Sequence, residues 1–283
     1  DGLQGSPFAQ LFADERLHKN LPGRRGVARV IWRWACNSLS GGIESLIREY
    51  DADLVPNEGL LRYDATSKRL MPVQERLSLN SKSDRAPRAL LVIHGLLSNT
   101  EAVIDDLKGR WLDGMSSRYA AILGLDHRTL SKDPEQNAVE LFEMLKRYAP
   151  ELVRDQRLDV VTHSRGGLVA RAFCELEGHA AAVRNLVMVG TPNCGTDLAN
   201  SKNWGRLADS LVNLSGIAQA KPIGYLAGFL ARLAVMGVQT AAPGLMAMNP
   251  ETAGVKNKFL SRLQQADRKN LTVRYSAVTA DFE

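Results

Sequence analysis

Residues 158–168 read LDVVTHSRGGL. An apolar run of strand length ends in Thr-His-Ser-Arg-Gly-Gly. The following LVARAFCELEG (168–178) carries apolar residues at helical spacing and closes on Gly178. Ser164 therefore stands on a sharp turn between a buried strand and a helix. Such a turn lifts a hydroxyl out of the sheet at the carboxyl ends of its strands, where sites in α/β sheets lie, and it is the setting of a nucleophile elbow. The strained geometry asks for small residues two places to either side. Gly166 meets that demand, whereas Thr162 on the other side is larger. The backbone N–H of Arg165, at the helix start, points into the space in front of Ser164, and the helix dipole favours negative charge there. Five residues alone would fit an ordinary N-cap serine equally well; the strand before and the helix after favour the elbow.

The same alternation runs outward from this stretch. RALLVIHGL (88–96) and YAAILGLDHR (119–128) read as strands buried on both faces, with a helix at about 100–113 between them. DPEQNAVELFEMLKRYA (133–149) reads as an amphipathic helix with Asp133 as N-cap and Pro134 in its first turn, and VRNLVMVGTP (183–192) as the strand after the Ser164 helix. Strands alternating with helices predict a mostly parallel sheet with helices on both faces. Upstream, EGLLRYD (58–64) and RLMPVQERL (69–77) alternate apolar and polar residues around ATSK, a hairpin expected at a sheet edge. Residues 28–50 predict two helices broken at Gly41-Gly42, so 1–57 reads as a helical N-terminal extension and 58–283 as the α/β domain. Past Pro192 the alternation stops. Residues 204–240 predict two or three apolar helices, and 197–248 a lid over a pocket, before a last strand in NLTVRYSAVTA (270–280). The run PIGYLAGFLARLAVMGV (222–238) is short for a membrane span but could touch a membrane surface.

Composition narrows the function classes. Hydrophobic residues at 45% supply a large core, so neither disorder nor a fibrous repeat is expected. The net charge of +5 comes from scattered residues, the densest groups being GRRG (23–26) and KSDRAPR (82–88). Without a basic stripe interleaved with aromatics, no nucleic-acid partner is expected. Cys36, Cys174 and Cys194 lie far apart with no CxxC, so no metal site is expected, and reduced thiols without a secretory signal suggest the cytoplasm.

LLVIHGLLSN (90–99), VVTHSRGGLVAR (160–171), MVGTPNCGTDLA (188–199) and PGLMAMNP (243–250) together resemble the α/β-hydrolase superfamily on its lipase and esterase side, and LGLDHRTLS (123–131) suggests an uncharacterised bacterial lipase-like group. The resemblance spans roughly 59–282. It implies an α/β-hydrolase fold with a helical lid, and Ser164 as a nucleophile attacking an ester or acyl bond of a lipid-like substrate through an acyl-enzyme. It implies oxyanion N–H donors at Leu96, in the turn after the first parallel strand, and at Arg165. Acyl transfer is a close relative. No metal or organic cofactor is implied.

A serine needs a base. Of the histidines at 18, 94, 127, 163 and 179, only His179 follows Ser164, and about 14 helical residues put it roughly 20 Å away. His163 adjoins Ser164 and is expected to point elsewhere, His94 to brace the oxyanion turn, and His127 to be structural. Asp281 follows the last strand, and Asp197 reads as a helix cap. Two readings follow. In one, the sequence is the main part of a longer chain or assembly whose C-terminal part carries the histidine and the acid. In the other, it is a catalytically inert interaction module on the same scaffold. The first is favoured, because an apolar last strand leaves an edge to cover.

Overall fold

The computed structural model describes residues 43–79, 86–107, 109–200, 203, 242–252, 254–266 and 271–279. Contacts divide the chain into Asp1–Gly42 and Ile43–Glu283. The first unit lies outside the described residues, as do the apolar helices expected over 204–240 and the acid Asp281.

The second unit opens with helix α1 (Ile43–Leu54), the second of the two helices expected upstream. The hairpin follows as β1 (Gly59–Asp64) and β2 (Arg69–Pro72). Then come β3 (Ala89–Ile93), α2 (Thr100–Asp106), α3 (Arg110–Arg118) and β4 (Ala121–Asp126). The single helix expected at 100–113 is thus two, divided at Gly109, whose φ of +93° suits glycine. Helix α4 (Pro134–Tyr148) starts on a full capping box: Asp133 accepts from the Gln136 N–H, and the Gln136 side chain accepts from the Asp133 N–H. Strand β5 (Leu158–His163) leads through Ser164 into α5 (Gly166–Arg171), which continues as a π-turn over Ala172–Leu176. Next is β6 (Val183–Val189). Beyond the undescribed stretch lie α6 (Pro243–Met246), a two-stranded hairpin β7 (Glu251–Thr252) and β8 (Val255–Lys256), α7 (Lys258–Gln265) and β9 (Arg274–Val278).

The seven-stranded sheet has the order β2-β1-β4-β3-β5-β6-β9. Strand β1 is antiparallel to β2 and β4, and the pairs from β4 to β9 are parallel. Strands β3 and β4 are buried along their whole length, and period-2 alternation splits their side chains between two cores. Leu91, Ile93, Leu123 and Leu125 pack with Leu141 and Leu145 of α4 and Val169 of α5. Leu90, Val92 and Ile122 pack on the other side with Ile104 of α2 and Leu112 of α3. Helices therefore cover both faces. A third cluster holds Ile47 of α1, Leu96, Leu130, Leu168, Leu245 of α6 and Leu260 of α7.

Candidate functional site

Between β5 and α5 the backbone turns within one residue. Ser164 has φ +51°, the left-handed region that a side chain occupies at a cost of about 1–3 kcal/mol. Its N–H donates to the Val189 carbonyl at 2.8 Å, and its carbonyl accepts from the Gly167 N–H at 3.1 Å. Both glycines after it are required by space. A Cβ on Gly166 would lie 2.5 Å from the Ile93 carbonyl oxygen, and one on Gly167 would collide with the Thr191 side chain. Thr162, the residue that departs from the small-residue pattern, is 1% exposed, and its hydroxyl donates to the Val187 carbonyl at 3.3 Å. The β5–β6 pairing thus absorbs the larger side chain, and the turn remains sharp.

The turn after β3 packs against this elbow. Gly95 comes so near that a Cβ there would be 3.0 Å from both the Ser164 Cβ and His163 Nδ1. Leu96 follows, and Leu97 is again left-handed, with φ +56°. The Leu97 N–H donates to Thr129 Oγ1 at 3.1 Å. Among the described residues the N–H groups of Leu96 and Arg165 donate to no acceptor. His94 braces the turn. Its Nδ1–H donates to the Gly95 carbonyl at 2.9 Å, and Nε2 accepts from the His127 N–H at 3.2 Å, which fixes the tautomer. The two imidazoles stack with centroids 4.1 Å apart. Burial pushes His94 down to about 4 and His127 well below its ordinary value, so both rings are neutral at pH 7. Asp126 approaches His94 Nε2 to 3.8 Å but faces an uncharged ring.

The structure adds one residue that the sequence reading does not name, Asp51, and gives a role to the side chain of Arg165, which that reading uses only for its backbone N–H. The Arg165 side chain is fully buried. Its Nε donates to the Gly244 carbonyl at 3.2 Å, and its Nη2 donates to the Lys132 carbonyl at 2.5 Å and to Asn137 Oδ1 at 2.9 Å. Burial lowers the guanidinium to about 10, so it remains a cation at neutral pH. Asp51 of α1 is also fully buried. It accepts from the N–H groups of Thr129 (3.2 Å), Leu130 (3.1 Å) and Ser131 (2.6 Å), and from the Ser131 hydroxyl at 2.6 Å. No short-range motif announces either residue. The one available signal was an acid on the apolar side of α1, beside Ile47.

The elbow and the turn after β3 thus come together. None of His94, His127 and His179, which the sequence reading does not expect to act as the base, joins them in that role. His94 commits both ring nitrogens, His127 lies buried beneath it, and His179 stacks on Phe142 at 3.6 Å beyond the far end of the π-turn. Asp197 opens a short 3-10 turn capped by Thr196. A polar cleft of about 540 Å³ between the Cys194–Asp197 loop and α7 is lined by none of Ser164, Leu96 or Arg165. Among the described residues no group of acids, histidines and cysteines could hold a metal, and no helix is long and apolar enough to cross a membrane.

Sheet order, the crossover helices and a left-handed serine between β5 and α5 make this an α/β-hydrolase fold. The family model described as domain of unknown function DUF7379 matches residues 60–283. The chain belongs to this family. The DUF7379 match begins within β1 and leaves α1, with Asp51, upstream of it. No curated protein matches the chain in sequence. Among solved structures, the chain is similar to the Bacillus licheniformis lipase BlEst2 in its propeptide form, at 18% identity and a TM-score of 0.45, covering 77% of this chain and 38% of that one. It is similar to the phospholipase PlaB from Legionella pneumophila at 16% and 0.47, covering 69% and 39%. It is similar to the esterase RhEst1 from Rhodococcus sp. ECU1013 at 12% and 0.34, covering 68% and 82%. The chain therefore spans well under half of the first two. Likeness of this size carries no argument about activity.

Proposed function

We propose that this DUF7379 chain carries the nucleophile and oxyanion hole of a serine hydrolase acting on an ester or acyl bond of a lipid-like substrate. Ser164 Oγ attacks the carbonyl carbon and the ester C–O bond breaks. The alcohol leaves with the proton given up by the serine, and water or another acceptor then takes the acyl group from the acyl-enzyme. The N–H groups of Leu96 and Arg165 stabilise the tetrahedral oxyanion. The observation that carries this reading is the strained serine at φ +51°, against which the β3 turn packs, with the N–H groups of Leu96 and Arg165 lacking acceptors among the described residues. An ordinary capping serine would adopt extended backbone at no cost. The lipid-like substrate rests on the apolar region 204–240. Contact with a membrane surface through its run 222–238 belongs to the same proposal.

A fluorophosphonate probe tests it. The full-length protein is expected to be labelled on Ser164, with a rate at least about a hundredfold above that of Ser164→Ala. Equal, negligible labelling of both folded proteins would sink the reading and leave the inert interaction module in its place.

A further inference from the structure

Asp51 lies upstream of the family match, on a helix that precedes the sheet, yet its hydrogen bonds run to both sides of the candidate oxyanion hole. One route goes through Thr129. That hydroxyl accepts from the Leu97 N–H at 3.1 Å and reaches Asp51 Oδ1 at 3.5 Å, its own hydrogen directed at the carboxylate. A hydroxyl has one proton to give, so with the carboxylate taking it the oxygen's lone pair is left to face Leu97. This holds the Leu96–Leu97 peptide and Leu97 at φ +56°, next to the Gly95–Leu96 peptide that carries the Leu96 N–H and whose carbonyl accepts from His94 Nδ1.

The other route goes through the loop after β4. Asp51 fixes the N–H groups of Leu130 and Ser131. The Leu130 carbonyl then accepts from the Gly244 N–H at 2.9 Å. The Gly244 carbonyl accepts from Arg165 Nε, and the Lys132 carbonyl from Arg165 Nη2. Gly244 is needed here, because a Cβ would collide with the carbonyl oxygens of Thr129 and Lys132. Leu130, Gly244, Arg165 and Lys132 thus form a closed ring of backbone and guanidinium hydrogen bonds, with Asp51 fixing the loop at its base. The ring ends on Arg165, the neighbour of Ser164 whose N–H is the second proposed oxyanion donor. Asp51 and Arg165 are opposite charges, both buried, and the field of Asp51 favours the charged guanidinium.

We infer that Asp51 is a positioning residue: it sets the Leu96 N–H through Thr129 and Leu97, and the Arg165 N–H through the Leu130–Lys132 loop and Gly244. This rests on the proposed role of Ser164 and deepens it, because it makes helix α1 part of the oxyanion hole although the helix supplies no atom that touches substrate.

The test uses the full-length protein and the same fluorophosphonate, with the maximal inactivation rate separated from the probe's binding constant. Asp51→Asn and Thr129→Val are each expected to lower the maximal rate at least about tenfold, with the binding constant changed less than about twofold. Thr129→Ser, which restores the hydroxyl, is expected to return the rate to within about threefold of wild type. A purely structural role would lower the folded fraction and leave the rate per folded molecule unchanged. Amide hydrogen exchange gives a readout independent of catalysis. In Asp51→Asn, exchange is expected to quicken at least about tenfold at Leu97 and Gly244 as well as at Leu130 and Ser131. In Thr129→Val, it is expected to quicken at Leu97 alone. Quickening confined to residues 129–131, or wild-type inactivation rates in folded Thr129→Val, overturns the inference. If the wild-type protein does not react with the probe at all, the reading of Ser164 fails, and the exchange pattern still decides whether Asp51 holds both walls.

Discussion

Strand β5 has a buried polar cluster at each end, and the two are built differently. At its amino end Asp159 accepts from the Tyr119 hydroxyl at 2.8 Å, from Asn185 Nδ2 at 2.5 Å and from Arg88 Nη1 at 3.4 Å. Both carboxylate oxygens are used, and the left-handed residues nearby, Asp155 and Gln156 at φ +58° and +53°, lie in the turn before the strand. Burial, followed by the bond to Asp159, pushes the Tyr119 phenol up to about 12, so it stays a donor at every physiological pH. At the carboxyl end, five residues on, Ser164 and Leu97 are left-handed. There, His127 Nε2, Asn137 Nδ2 and Arg165 Nη1 are buried without a hydrogen-bond partner among the described residues. Left-handed residues and a nitrogen without a partner among the described residues, Arg157 Nε, thus occur near the amino end too. What sets the carboxyl end apart is a left-handed serine packed against a second left-handed turn, and that is the end to which the proposed chemistry is assigned.

The contrast can be broken most severely at Gly166. Gly166→Ala drives a methyl into the Ile93 and His94 carbonyls, and neither can retreat without moving the end of β3. A loss of about 3 kcal/mol or more is expected in a denaturant titration. Little change would mean that the elbow is looser than its geometry states.

Acid separates the two ends next. His94 is held neutral at about 4, whereas the unfolded chain takes up its proton near 6.5. Between those values the unfolded state binds more protons, so stability is full above about 6.5, falls as the pH drops towards 4, and loses no more through His94 below that. For His94 alone the loss is on the order of 3 kcal/mol, and His127 adds to it. Asp126, raised by burial, acts in the opposite sense, regaining some stability at the acid end of the window. Denaturant midpoints measured across pH 7 to 4 are expected to decline steeply in the wild type and more gently in His127→Phe. A flat wild-type profile would contradict the buried, neutral pair.

At the other end, Asp159→Asn is expected to cost about 2 kcal/mol, since it removes charge-assisted bonds and sets the Asn185 amide against another amide. The labelling rate of Ser164 per folded molecule should be unchanged. A parallel fall in rate would show that the two ends of β5 are coupled. The smallest effect is a gain. Ser164→Gly relieves the left-handed serine and is expected to add about 1 kcal/mol to stability while abolishing labelling. A loss of stability would mean that the serine side chain contributes packing of its own.

The features legible in the sequence are those set by neighbours in the chain. The alternation of strands and helices, the capping box at Asp133, and the turn at Ser164 followed by two glycines all follow from short-range patterns, because backbone geometry and burial period are local. The split at Gly109 was missed because one glycine inside a helical pattern reads as a tolerated cost. The β7–β8 hairpin was missed because its strands have two residues each, too few for alternation to register. Helix α7 does carry a local signal, with Asn257 capping it and accepting from the Leu260 N–H at 3.2 Å, but it was lost beside the apolar run before it. Asp51 was beyond reach for a stronger reason. Besides the hydroxyls of Thr129 and Ser131, its partners are backbone N–H groups 78–80 residues away, and a backbone N–H is the same in every residue. The Arg165 side chain likewise answers to carbonyls at 132 and 244, which no residue type encodes.

The ring that closes on Arg165 also sets a schedule for biosynthesis. Its first anchor, Asp51, leaves the ribosome early, whereas Gly244 is translated 79 residues after Arg165. At about 5–20 residues per second the nascent chain holds its serine for roughly 4–16 s with the guanidinium still lacking the Gly244 carbonyl. From the completion of β6 at Val189, 24 residues after Arg165, strands β3 to β6 can pair. Six of the sheet's seven strands, all but β9, are therefore older than the ring, and a partly made copy holds the serine before the ring that seats it has closed.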